Sequence, residues 1–206
     1  MKMSYAPAAA FMLAAAVAGA SIAQPAPPSR DPSQVQGGSY AVEPRHTRIV
    51  FSVLHMGFTD YYGQFNGATG KLDLDPANPG KSAVTVSIPT DSVDASNSVL
   101  TGELKSPQWF DAAKFPTITF TSTKVTPTGK NTATVTGDLT FHGVTRPVTL
   151  EAKFNAGGVH PMTKKYTVGF NAVAHLKRSD FGQTTYVPMI GDDVDLMISA
   201  EFDKVS

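Results

Sequence analysis

A chain of 206 residues, 41% hydrophobic and 17% charged, can bury a core of its own and lacks the composition of a disordered protein. Its 17 Lys and Arg balance 17 Asp and Glu, which argues against the basic footprint of nucleic-acid binding and the polybasic cluster that holds a protein on anionic lipid. Cysteine is absent, which rules out disulfides, thiolate catalysis and Cys-bound metal.

The chain opens on MKMSYAPAAAFMLAAAVAGASIA, which reads as a secretory signal. Lys2 supplies the positive start, and the apolar block from Ala8 to Ala18 is shorter than the roughly 18 residues of a spanning helix. Ser21 and Ala23 place small residues where a signal peptidase cuts, so residues 1–23 are expected to leave by cleavage after Ala23, giving a periplasmic product. Residues 24–39, QPAPPSRDPSQVQGGS, are too polar and Pro-rich to order themselves and are expected to be a flexible linker. The folded domain is expected over 40–206.

From Tyr40 onward the apolar residues recur with period two, the signature of half-buried strands. RIVFSVLHM sets Ile49, Phe51, Val53 and His55 on one face, and YYGQFNGATGKLDLD follows as a second strand. SAVTVSI aligns Val84, Val86 and Ile88. DASNSVLTGELKS interrupts the pattern with a short helix, capped by Asp94 or Ser96 and carrying Leu100 and Leu104 on one side. TITFTST then aligns Ile118 and Phe120, and ATVTGDLTF aligns Val135, Leu139 and Phe141. VTLEAKF aligns Val148, Leu150, Ala152 and Phe154, and VGFNAVA aligns Val168, Phe170, Ala172 and Ala174. VDLMISAEF completes the set with Val194, Leu196, Ile198, Ala200 and Phe202. Between Phe141 and Val148 the chain turns around His142-Gly143-Val144-Thr145. About eight antiparallel strands on short turns predict an up-and-down barrel or a sandwich, and a closed barrel is preferred because it removes the sheet edges.

Few residues suggest chemistry. Gly80-Lys81-Ser82 lacks the upstream glycine of a phosphate loop, since position 75 is Asp75, and it enters a strand rather than a helix. The five histidines, His46, His55, His142, His160 and His175, show no metal-ligand spacing, so no metal is expected. Asp193 and Asp195 share the face opposite Val194 and Leu196 and are expected in solvent. No nucleophile elbow is present and no catalytic residue is assigned. His55 stands out because its parity places a polar ring on an apolar face, where it either satisfies itself or meets the polar end of a greasy ligand.

Four segments in order resemble the YceI family of polyisoprenoid-binding, lipocalin-like periplasmic proteins. They are YAVEPRHTRIVFSVLHMGFTDYYGQFNG, LKSPQWFDAAKFPTITFTST, GDLTFHGVTRPVTL and RSDFG at Arg178 to Gly182, spanning about residues 40–203. Tyr40, Lys105 and Trp109 depart from the residues common there, and Tyr61 and Tyr62 are bulkier than usual. The resemblance implies an extended eight-stranded antiparallel barrel, with one short helix between strands, enclosing a tunnel for an isoprenoid quinone or polyprenyl chain. The expected tunnel wall is Ile49, Phe51, Val53, His55 and Phe65, then Val84, Val86, Ile118, Phe120, Leu139 and Phe141, then Leu150, Phe170, Leu196 and Ile198. Phe58, Tyr61, Tyr62 and Trp109 are expected at the tunnel mouth. The implied partner is the isoprenoid lipid itself, with no catalytic cofactor and no nucleic acid, a transient membrane contact, and a monomer or homodimer. Two alternatives stand beside this reading: a packed barrel serving as a stress-response interaction scaffold, and an enzyme on a hydrophobic substrate using His55.

Overall fold

Period-two alternation becomes ten antiparallel strand segments in the computed structural model, which describes residues 26–205. The expected leader lies outside the described residues. β1 (Gly38–Val42) runs into β2 (Arg48–His55), and β3 (Thr59–Phe65) runs into β4 (Thr69–Leu74). Then come β5 (Ala83–Pro89), α1 (Ser98–Lys105), β6 (Thr117–Pro127) and β7 (Thr132–Phe141). β8 (Val144–Val159), β9 (Tyr166–Lys177) and β10 (Ile190–Lys204) complete the chain.

The segments form one sheet in the order β1-β4-β5-β6-β7-β8-β9-β10-β2-β3, and β1 also pairs with β10. That pairing, from Tyr40↔Lys204 to Val42↔Phe202, closes the sheet on itself. β10 pairs with β2 along its first part and with β1 along its last, so β1 and β2 act as one bent stave. β3 and β4 do the same against them. Ten segments therefore make eight staves in up-and-down order, the expected closed antiparallel barrel.

The first stave bends at Glu43–Thr47, where a buried carboxylate holds the corner. Glu43 accepts from Arg45 Nε at 2.9 Å and from the His46 backbone N–H at 2.8 Å, and His46 Nδ1 lies 2.8 Å from the same oxygen. Its own N–H donates to the Glu201 carbonyl at 2.8 Å, which fixes the corner to β10. Burial alone would raise this carboxyl, but hydrogen bonds from Arg45 and from the His46 and Arg45 backbone outweigh it and hold the pKa at about 2.

At the end of the barrel where β2 meets β3, no strand covers the outer edge of β3. Gln64 instead exchanges two backbone hydrogen bonds with Asp94, at 2.8 and 2.9 Å, and α1 with residues 106–116 fills the gap. The helix is capped by Asn97, whose side chain accepts from the Val99 and Leu100 N–H groups, not by Asp94 or Ser96. Ser96 sits at φ 55°, and Asp94 is occupied with the Ser96 N–H at 2.8 Å. The β7–β8 turn is tighter than expected: His142 and Gly143, at φ 51° and 75°, form a two-residue hairpin between paired Phe141 and Val144. The His142 ring packs 4.6 Å from that of Phe115, outside the barrel row.

Of the linker expected over residues 24–39, the first two residues lie outside the described residues, and from Ser29 onward the chain is fastened to the barrel. Ser29 exchanges two backbone hydrogen bonds with Gly157, at 2.8 and 2.9 Å, and Asp31 caps a 3-10 turn at Pro32–Gln34. Val35 is 8% exposed and belongs to the core, and Tyr40 is already inside β1. Composition hid this because one apolar residue and a few backbone bonds suffice to lay a polar segment against the barrel.

The Glu43 corner predicts an acid limb to stability. Because the folded pKa is depressed, its contribution is complete above the ordinary value of 4.5 and is lost as pH falls toward about 2. Denaturant unfolding should show Glu43→Gln about 1–3 kcal/mol less stable than the parent at pH 7. The gap should narrow at pH 3; a gap independent of pH would refute this role.

Candidate functional site

Inward-facing aliphatic side chains, among them Val84, Val86, Val135 and Leu150, surround a cavity of about 530 Å³. A second cavity of about 140 Å³ lies nearer α1. Ile49, Ile88, Leu139 and Leu196 line both, so the two chambers lie end to end and these four form the waist. Side-chain size sets their difference. Toward α1, Phe51, Phe65, Phe110 and Phe141 stack in series with ring centroids 5.6, 5.7 and 5.2 Å apart and fill most of the interior. In the wider chamber Ala152, Ala172 and Ala200 face inward, and the space larger residues would fill stays open.

Charged residues touch this space only near its ends. Asp31, Asp75 and Lys130 lie where the wide chamber reaches the turns at residues 75–82 and 127–132. Asp31 is held below the usual carboxylate range by the Ser33 side chain and backbone and by Lys130, whose Nζ is 3.3 Å away. Asp75 is held low chiefly by the Asn78 backbone, with Lys81 adding its charge.

The opposite end is closed around Arg178, which is 7% exposed. Its Nε donates to the Gly191 carbonyl at 2.7 Å and Nη1 to Gln183 at 3.0 Å. Nη2 donates to Thr185 and Ile190, at 2.9 and 2.8 Å. Burial pushes the guanidinium pKa down, opposed by Asp192. The Trp109 ring lies 5.9 Å from the guanidinium carbon. One forked cation thus satisfies two carbonyls of the β9–β10 connection, Gln183 and Thr185, and two at the start of β10, Ile190 and Gly191, and ties that connection to β10 beside the narrow chamber.

The structure distributes the expected wall residues along this path. Ile49, Leu139 and Leu196 stand at the waist. Phe51, Val53, Phe65, Ile118 and Phe141 line the narrow chamber, and Val84, Val86, Phe120, Leu150, Phe170 and Ile198 the wide one. His55 is the exception. It is the last residue of β2, paired with Ile190, and lines neither chamber although Ile190 lines the narrow one; its ring lies 6.1 Å from that of Tyr61.

The residues expected at the mouth fall in different places. Phe58, in the β2–β3 turn, is 86% exposed and Tyr62 faces outward, while Tyr61 packs against the core. Trp109 lines the narrow chamber, with the Arg178 guanidinium over its ring. The wide chamber reaches the turns at the other end of the barrel. Sequence reasoning missed Arg178 as a closing residue, although it begins the RSDFG segment, and missed Val35, a lone apolar side chain in a polar stretch.

Two polar clusters stand apart from the cavity. Glu43, His46 and Glu201 bring ligand-type atoms within 4.8 Å of one another, a grouping that sequence spacing did not reveal, but both Glu43 oxygens already accept hydrogen bonds. On the outer face of β9 and β10, His175 bridges Asp195 at 2.7 Å and Asp193 at 3.3 Å. Those aspartates face solvent, as their parity requires.

A closed eight-stave barrel around an apolar chamber is the architecture of a small-ligand binding protein. Residues 40–202 match the YceI-like domain, and the chain belongs to that family. Protein YceI of Salmonella arizonae is 39% identical over 159 residues, covering 77% of this chain and 82% of that one. The crystal structure of the Campylobacter jejuni YceI protein is 27% identical with a TM-score of 0.66, over 74% of this chain and 90% of that one. A polyisoprenoid binding domain from Saccharophagus degradans shares the fold at 13% identity and a TM-score of 0.60, over 82% of this chain and all of that one.

Replacing Arg178 should show that the cap depends on it. Arg178→Met would leave four carbonyls without their donor at a cost of about 3 kcal/mol, lowering Tm by about 6–12 °C in calorimetry. Arg178→Lys should rescue less than half of the loss, because an ammonium lacks the planar fork. Full rescue by lysine would show that charge alone suffices.

Proposed function

We propose that this protein binds one isoprenoid lipid, an isoprenoid quinone or a polyprenyl chain, in the barrel and carries or sequesters it through the periplasm. The observation that carries the reading is a chamber of about 530 Å³ walled by aliphatic and aromatic side chains, with charges only near the ends of the path. That volume lies within the range of about 300–1,000 Å³ usual for ligand sites. Each Å² of apolar ligand surface withdrawn from water there contributes about 25 cal/mol, so a long chain binds without a charged anchor. The relative described as polyisoprenoid-binding supports the same ligand class.

The mouth favours a neutral head group. Asp31 faces Lys130 at 3.3 Å, and Lys81 lowers the pKa of Asp75, so the cations there are already matched by acids. A diphosphate would have to displace a carboxylate to find a positive partner, whereas a quinone ring would not. Such a lipid must be collected and delivered at a membrane, so a brief membrane contact belongs to the proposal. The hollow interior favours carriage over the packed-scaffold alternative, and a His55 that lines neither chamber lends the enzymatic alternative no support.

Organic extraction of protein purified from a quinone-producing host, followed by mass spectrometry, should release a neutral prenyl lipid in near-stoichiometric amount. Empty extracts together with no uptake of added quinone would refute the reading. The paired change Ala152→Phe with Ala172→Phe, at facing positions on β8 and β9, should fill the wide chamber. It should lower bound lipid at least tenfold while calorimetry shows Tm unchanged or higher.

A further inference from the structure

We propose that residues 29–36 form a latch across the open end of the cavity, releasing to admit the ligand and closing over it once bound. The inference rests on the ligand-carrying reading. It concerns a segment outside the part of the chain that matches the family domain, which begins at residue 40.

The segment is fastened at its two ends and lies over the chamber between them. At one end Ser29 is paired with Gly157 of β8. At the other, the Gln36 N–H donates to Tyr166 Oη at 3.2 Å and its side-chain carbonyl accepts from Lys204 Nζ at 2.8 Å. The Gln36 backbone carbonyl accepts from the buried Tyr40 hydroxyl at 2.5 Å. Between these points the Arg30 carbonyl accepts from Asn131 Nδ2 at 3.2 Å, and Asp31 meets Lys130. Asp31, Pro32, Ser33 and Val35 all line the wide chamber. The segment is therefore part of the wall at the end where the ligand's polar group is proposed to sit.

β8 is shaped to receive it. A Cβ at Gly157 would come within 2.6 Å of Val35 Cγ1, and one at Gly158 within 3.0 Å of Pro28 Cα. These two glycines let the segment lie closer to β8 than a side chain would allow unless its neighbour shifted. The hold on that seat is light: Val35 is the one side chain of 29–36 in the apolar core, and the ion pair and most of the polar bonds lie at the surface. Surface bonds of this kind contribute little each, whereas the rest of the chamber wall, the turns at residues 75–82 and 129–131 aside, belongs mostly to ladders of paired strands. Gly38, at φ 122°, follows Gly37 and supplies a pivot where the segment enters β1. With the Phe51–Phe141 row filling most of the far end beside Arg178, the proposed route into the wide chamber is through the latch.

The absence of cysteine makes the test clean. A Cβ at residue 157 would lie 3.3 Å from Val35 Cβ, close to the separation of about 3.8 Å across a disulfide. Val35→Cys with Gly157→Cys should therefore lock the latch when oxidised. Pro28→Cys with Gly158→Cys, also at 3.3 Å, provides a second lock should the first disturb folding. The probe is N-phenyl-1-naphthylamine, whose fluorescence reports access to an apolar cavity whatever the natural lipid is. Oxidation should slow its uptake and release at least tenfold, dithiothreitol should restore the parent rates, and Val35→Ala should speed exchange. Equal rates in the oxidised and reduced proteins, with normal folding by circular dichroism, would overturn the latch. Failure of the lipid reading would look different: the probe would still enter and respond to the lock, while extracts held no prenyl lipid.

Discussion

The first stave meets the last along β10, through β2 from Ile190↔His55 to Ser199↔Arg48 and through β1 at Tyr40↔Lys204, Ala41↔Asp203 and Val42↔Phe202, and this seam turns a long meander into a ring. Without the seam both terminal staves would present unpaired backbone groups, and the apolar row on each strand would need some other surface to cover it. With it, every inward row faces other inward rows across a common axis. The interior must then be filled by side chains, by water or by a guest. Aliphatic walls make water a poor occupant. The Glu43 corner matters for the same reason: it bends the first stave so that β10 reaches both β1 and β2, and the ring depends on that reach.

Whether the ring is packed or hollow is then settled by volume. Toward α1 the inward positions carry phenylalanine, and Phe51, Phe65, Phe110 and Phe141 leave only about 140 Å³. Farther along the same staves, alanines alternate with branched residues and about 530 Å³ remains. One barrel is thus a solid core at one end, able to hold the fold together, and a container at the other. Arg178 completes the solid end. A cation is an expensive thing to bury, but here it satisfies four carbonyls at once, two in the β9–β10 connection and two at the start of β10.

The sequence made the strands legible because alternation is a local property that survives without knowledge of the partner strand. It also placed most wall residues on the correct face, since parity fixes which way a side chain points once the sheet closes. What it could not show is where along each strand the enclosed space begins and ends. His55 has inward parity at the very end of β2 and lines neither chamber, while Phe58 sits in the following turn and Tyr62 on the outer face. Height depends on register and on the length of neighbouring strands, both non-local. Composition misled for residues 29–36 in a related way: a polar, Pro-rich stretch reads as free chain unless one knows that Gly157 and Gly158 sit across from it, more than a hundred residues later.

The two ends of the barrel therefore solve opposite problems with the chemistry suited to each. A permanent seal must resist thermal opening, and a buried guanidinium shared among four carbonyls cannot let go of one without stranding the rest. A passage must open at modest cost, and a segment held by one valine, an exposed ion pair and a few surface hydrogen bonds can leave while every barrel ladder stays intact. Had the strong closure stood at the wide chamber and the weak one over the phenylalanines, the ligand space would be sealed and the core would be the part that breathes. The polarity of the arrangement, more than the presence of a cavity, is what suits the fold to taking up a greasy molecule and giving it back.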